Sequence, residues 1–241
     1  MRRKTWFVAG LVAGLVGWAG PRPAAAQPVR VALTGTAAPA GGNYTGFTSD
    51  PVLNASGQVG YIASLTSGTA TSGVFVGAAG AVQSVALQGG SAPGGGTYTS
   101  FTPLPSLNAT GQVAFTASLS GSSRGIFTGT STPGSVVAVA RQGGAAPSGG
   151  SYGTNFFPPV LNGSGQVAFS PSLSGGSSCT FAGLPGSLQV VAVQGTSAPA
   201  GGNYAFTGVS ALNSFGRVAI VATLTGGSSS GGLFVGSPMA L

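Results

Sequence analysis

Leu107-Asn108-Ala109-Thr110-Gly111-Gln112-Val113-Ala114-Phe115-Thr116-Ala117-Ser118-Leu119 reads as a tight turn followed by a strand. Val113, Phe115, Ala117 and Leu119 alternate with Gln112, Ala114, Thr116 and Ser118, which places one row in a core and the other on a more polar face. Asn108 suits Asx-turn or left-handed geometry, and Gly111 supplies positive φ without a Cβ clash, so Asn-Ala-Thr-Gly joins two strands. A helical stripe is absent here and from the rest of the chain beyond residue 26.

The stretch recurs. LNxxGxV begins at Leu53, Leu107, Leu161 and Leu212, and a second signature, VAxxGxxAP followed by Gly-Gly and Tyr, is marked by Pro39, Pro93, Pro147 and Pro199. A fixed period of this size is the mark of propellers and solenoids. One full unit reads as four strands, at 101–107, 112–119, 125–129 and 135–141, which is the content of a propeller blade. Pro51, Pro103, Pro105, Pro158 and Pro159 fall in the first strand of their units, which suits the innermost strand, where one edge is unpaired. Pro171 is discordant, because it falls in a second strand that should donate on both sides.

The expected fold class is therefore all-β: a four-repeat β-propeller-like domain of four four-stranded blades. Residues 29–34 have the sequence of a fourth strand, while the last unit stops after its third at 233–236. Pairing the N-terminal strand with the last blade would complete it and remove both bare edges, which otherwise invite aggregation. The alternative is an open arc whose bare edges associate.

Residues 1–26 have the parts of a secretion signal: the basic Arg2-Arg3-Lys4, an apolar run from Trp6 to Ala19, and small residues at 24–26 before Gln27. The expected organisation is a signal peptide at 1–26 and a single domain at 27–241, exported to the periplasm, the cell surface or the medium. The apolar run is short for a membrane span of about 20 residues.

The formal charge of +7 invites a nucleic-acid reading, but Arg2, Arg3, Lys4 and Arg22 belong to the leader. Arg30, Arg124, Arg141 and Arg217 remain against Asp50, too few and too dispersed to form a phosphate-binding patch. The charged fraction is 4%, against about 25% in ordinary soluble proteins, and 45 glycines with abundant Ser, Thr, Asn and Gln replace it.

LNxxGQVAF with a trailing GIF and VAxxGxxAP resembles the NxxGxxAF tandem-repeat proteins, bacterial surface or secreted proteins in which a variable anchor follows the repeats. The resemblance covers residues 29–236 and implies no activity. The Asn-x-x-Gly-x-Val-Ala-Phe half of the motif is also similar to the propeller repeats of TolB-type proteins, with Ser56, Thr110, Ser164 and Phe215 where those carry an acidic residue.

Chemistry is scarce. The chain has no His and no Glu, and beyond residue 26 it has no Lys and one Asp, Asp50, which sits before a proline as a turn residue. Paired carboxylates, a Ser/His/Asp relay and a Ser/Lys pair are all excluded, because nothing is present to take a nucleophile's proton near neutral pH. No catalytic, cofactor or metal site is expected. Glycine-rich segments such as 89–96 lack the Lys and helix of a phosphate cradle. The lone Cys179 has no partner for a disulfide and aligns with Gly73, Gly125 and Gly232.

Tyr44, Tyr98, Tyr152 and Tyr204 stand at equivalent positions beside Gly-Gly. On one face of a ring they would suit a glycan or peptide, offering apolar area and hydroxyls without charge; the other reading is packing between blades. The functional expectation is a noncatalytic extracytoplasmic scaffold or binding module for a neutral partner such as a glycan or surface protein. A self-assembling structural protein is the alternative, and an enzyme is the rival class that the composition opposes.

Overall fold

A computed structural model describes residues 27–199 and 201–238. The leader read at 1–26 lies outside them. All regular structure among the described residues is antiparallel β.

Each of the first three repeats begins with a first strand in two pieces. The first repeat runs β1 (Asn43–Phe47), β2 (Val52–Leu53), β3 (Val59–Thr66), β4 (Ser72–Gly77) and β5 (Gln83–Leu87). The second runs β6 (Tyr98–Phe101), β7 (Ser106–Leu107), β8 (Val113–Leu119), β9 (Ser123–Gly129) and β10 (Val137–Arg141). In both, the two pieces of the first strand pair with the second strand, which pairs with the third, which pairs with the fourth. The expected meander is thus present, with the first strand starting earlier, at the tyrosine, and broken where proline withholds an N–H.

The third repeat runs β11 (Tyr152–Phe156), β12 (Val160–Leu161), β13 (Val167–Phe169), β14 (Pro171–Leu173), β15 (Cys179–Leu184) and β16 (Ser187–Val193). Its second strand breaks at Ser170, so that β11 pairs only with β14, apart from the sheet β12-β13-β15-β16. The discordance at Pro171 is thus resolved as a distortion of this unit, with the strand order otherwise kept. At this break the hydroxyl of Ser170 bonds to the fourth repeat: it accepts from Val209 N at 3.0 Å and lies 2.9 Å from Thr180 Oγ1, which donates to Thr207 Oγ1 at 3.0 Å.

The fourth repeat has three strands, β17 (Asn203–Leu212), β18 (Val218–Thr225) and β19 (Gly231–Gly236). Its expected completion by residues 29–34 does not occur: those residues form no strand, and β19 pairs only with β18 among the described residues. The segment packs instead at its own end of the chain. Val31 and Ala32 pack against the apolar cluster of the first repeat that contains Tyr44, Tyr61 and Phe75, and Gly35 N donates to Tyr44 O at 2.7 Å. The segment is thereby held on its own neighbour.

The core sits between successive repeats. Ile62, Val74 and Val76 pack on Val113, Phe115 and Phe127; Ala114 and Ile126 pack on Val167, Phe169 and Phe181; Ala168 and Ala182 pack on Val218 and Ile220. The second and third repeats thus each bury one face against the repeat before and the other against the repeat after, as in stacked repeat architectures.

The LNxxG turns tie this stack together. Asn54 Nδ2 donates to Asn108 O at 2.9 Å, Asn108 Nδ2 to Asn162 O at 3.1 Å, and Asn162 Nδ2 to Asn213 O at 2.9 Å. Meanwhile each Asn Oδ1 accepts backbone N–H groups of its own turn, as Asn108 does from Thr110 and Gln112. The glutamine after the glycine lies over the next repeat's glycine: Gln58 over Gly111, Gln112 over Gly165, Gln166 over Gly216. Asn213 Nδ2 donates to none of the described residues, so the ladder runs one way and stops.

Candidate functional site

The first strands of all four repeats face a common concavity of about 700 Å³. Val52 and Leu53 come from the first repeat, residues 104–107 from the second, 157–160 from the third, and Phe206, Gly208 and Val209 from the fourth. The wall is there because the first strand is paired on one side only, and Pro105, Pro158 and Pro159 sit where no ladder bond is needed. The inner position expected for the proline-bearing strand is thus the observed one.

The groove contains no charged side chain. Leu53, Leu104, Phe157 and Phe206 are 72%, 51%, 47% and 40% exposed, and the rings of Phe157 and Phe206 meet edge-on at 5.9 Å across the third and fourth repeats. Leu104 has φ of 76°, a left-handed conformation that a branched side chain adopts only when its surroundings impose it. The polar group nearest this wall, Ser106 Oγ, is already engaged, accepting from Leu161 N at 3.0 Å. The groove can bury apolar surface of a ligand.

The four tyrosines are not on a face. They lie in strands, 3%, 3%, 4% and 8% exposed for Tyr44, Tyr98, Tyr152 and Tyr204. Each meets the phenylalanine of its own third strand edge-on: Tyr44 with Phe75 at 5.4 Å, Tyr98 with Phe127 at 5.2 Å, Tyr152 with Phe181 at 5.7 Å, and Tyr204 with Phe234 at 5.4 Å. The solvent-facing row that ligand contact requires is therefore corrected to a row of core residues. The physical reason is that the preceding Gly-Gly turn returns the chain directly into a sheet, and an edge-to-face aromatic pair buries the ring. Burial pushes the Tyr98 phenol up to about 12 and raises Tyr44, Tyr152 and Tyr204 as well.

Cys179 is fully buried, and burial raises its thiol above the usual range. That disfavours the thiolate through which a cysteine reacts or binds metal. Among the described residues no group of three His, Cys, Asp or Glu is close enough to hold a metal ion. The asparagines of the ladder were read from sequence only as turn formers. Their repetition at the same spacing was the available signal, but an inter-repeat bond cannot be told from a turn preference until the turns are stacked.

Residues 23–128 and 120–239 each match one family, described as "Family of unknown function (DUF7453)". The chain belongs to this family. Each match spans two successive repeats. The NxxGxxAF resemblance rests on the motifs alone. No curated protein matches the chain. Among solved structures it is similar to "Crystal structure of TolB from Acinetobacter baumannii", at 12% identity and a TM-score of 0.30, with 78% of this chain aligned. The aligned part spans 56% of that structure's length. No helix among the described residues is long and apolar enough to cross a membrane.

Proposed function

We infer that this protein is an exported, noncatalytic binding module, a β-propeller-like set of four repeats whose inner groove takes a neutral partner. The observation that carries this reading is the uncharged wall built by equivalent strands of four repeats, with exposed Leu53, Leu104, Phe157 and Phe206. A concave, largely apolar site is the general form of a ligand pocket. Between a glycan and a surface protein, the wall favours an uncharged, apolar polypeptide segment, because it offers hydrocarbon and aromatic area but few free hydroxyls or amides. The noncatalytic reading is supported by the want of any His, Glu or paired carboxylate in the sequence.

The test is an array of exported proteins and glycans probed with the purified protein, followed by titration of any hit. Binding should be nearly independent of salt, because no ion pair contributes. Phe157→Ala and Phe206→Ala together should weaken it at least tenfold, since each truncation removes exposed aromatic area from the contact. A partner whose affinity collapses in salt, or ignores both substitutions, would refute the groove as the site.

A further inference from the structure

Each end of the molecule carries features that are paired off at the internal inter-repeat interfaces. At the C-terminal end, Val221, Leu233 and Val235 are 49%, 79% and 62% exposed. Their counterparts in the first repeat, Ile62, Val74 and Val76, are 2%, 0% and 3% exposed, buried by the repeat that follows. Beside them β19 has a bare edge, where β4, β9 and β15 each pair with a fourth strand. Asn213 carries the unspent donor of the asparagine ladder.

The N-terminal end carries what is missing. Residues 29–33, Val-Arg-Val-Ala-Leu, correspond to β5, Gln-Ser-Val-Ala-Leu. They are already held in the place of a fourth strand, because Gly35 N bonds to Tyr44 O as Gly89, Gly143 and Gly195 bond to Tyr98, Tyr152 and Tyr204. Asn54 O receives no bond from a preceding asparagine, and Gly57 has open space where Gly111 has the side chain of Gln58. Leu53 is 72% exposed, whereas its counterpart Leu107 lies against Gly60 of the preceding repeat.

We propose that copies of this chain dock head to tail, residues 29–33 of one copy completing the sheet of β17, β18 and β19 in the next. The occupant is a second copy because the missing strand, the missing carbonyl acceptor and the missing apolar cover all occur together, in the right order, on this chain and at its opposite end. Its own three internal interfaces show the geometry. By the register of Val74 with Ala86 and Val76 with Gln83, Leu233 would pair with Ala32 and Val235 with Val29. Asn213 Nδ2 would donate to Asn54 O, and Arg217, in the place of Gln58, would lie over Gly57. Such an interface uses two different patches, so it propagates into a ring or filament. It deepens the open-arc alternative and is independent of what the groove binds.

The test uses full-length protein processed by export, measured by light scattering across the micromolar range. Wild type should assemble. Leu233→Asp and Val29→Asp alter opposite ends at exposed positions outside the groove, 79% and 75% exposed, so each should remain folded, with an unchanged thermal melt, yet be monomeric alone. Mixed, they should form a 1:1 dimer and nothing larger, because only one sound pair of ends remains. A monomeric wild type, assembly that survives Leu233→Asp, or a mixture that stays monomeric would each overturn the proposal. Groove binding by either variant is measured separately, so failure of one reading does not touch the other.

Discussion

The side-chain amide of Asn108 donates to the backbone carbonyl of Asn162, 54 residues further along the chain, at 3.1 Å. One side chain thus closes its own turn through Oδ1 and fastens the next repeat through Nδ2. Asn213 has only the first role, accepting from Phe215 N and Arg217 N at 3.0 and 2.9 Å.

Asn108→Ala should therefore cost more than Asn213→Ala. Loss of the turn bonds and the inter-repeat bond at a buried site is worth about 2–3 kcal/mol, against about 1 kcal/mol for an exposed turn. Denaturant melts of the two variants measure the difference. Equal losses would show that the asparagine acts through its turn alone.

Glycines of the same motif separate in the same way. Gly57 and Gly111 have φ of 75° and 82°, but a Cβ on Gly57 meets open space, while one on Gly111 would lie 2.9 Å from Gln58 Oε1. Gly57→Ala should cost about 1–2 kcal/mol for the left-handed backbone alone. Gly111→Ala should add about 1 kcal/mol or more of crowding between repeats. Gly111→Ala combined with Gln58→Ala should recover the added part, which equilibrium unfolding of all three variants would reveal.

The tyrosine core makes stability sensitive to alkali. Burial raises the Tyr98 phenol from 10.0 to about 12, and raises Tyr44, Tyr152 and Tyr204 in the same direction. A group raised on folding stabilises fully below its unfolded value and loses that contribution as pH rises through its folded value. Stability should thus fall as pH rises from 10 to 12, with phenolate absorbance appearing together with loss of β-sheet circular dichroism. Phenolate formation by a protein that stays folded would contradict the buried placement.

Export should remove both tryptophans. Trp6 and Trp18 lie in the segment read as a leader. Secreted protein should begin at Gln27 by intact mass and lack tryptophan fluorescence; a fluorescent product of full mass would identify the segment as a retained anchor.

The strand-turn-strand content of each repeat was legible because it is local: alternation at Val113, Phe115, Ala117 and Leu119 and the Asn-x-x-Gly turn need no knowledge of neighbours. The missing N–H of Pro171 marked a conflict in the same way, but whether it meant a distorted unit or another strand order was decided by the fold. The site was legible only in part. Proline in the first strand pointed to the inner wall, whereas Tyr44, Tyr98, Tyr152 and Tyr204 were compatible with a binding face or with packing, and are core. A tyrosine beside Gly-Gly has the same sequence whether its ring turns outward or against Phe75, and the choice rests on a phenylalanine in another strand.

What the sequence by itself determined is therefore the repeat, the antiparallel β character and the poverty of acid, base and metal-binding groups, since all three follow from periodicity and residue types. Only the tertiary structure decided the ends. Residues 29–34 carry the pattern of a fourth strand, but whether a strand forms depends on an edge within reach. In this chain Val31 and Ala32 pack on the first repeat and, among the described residues, β19 pairs only with β18, so the pairing potential of both ends is left unspent within one molecule.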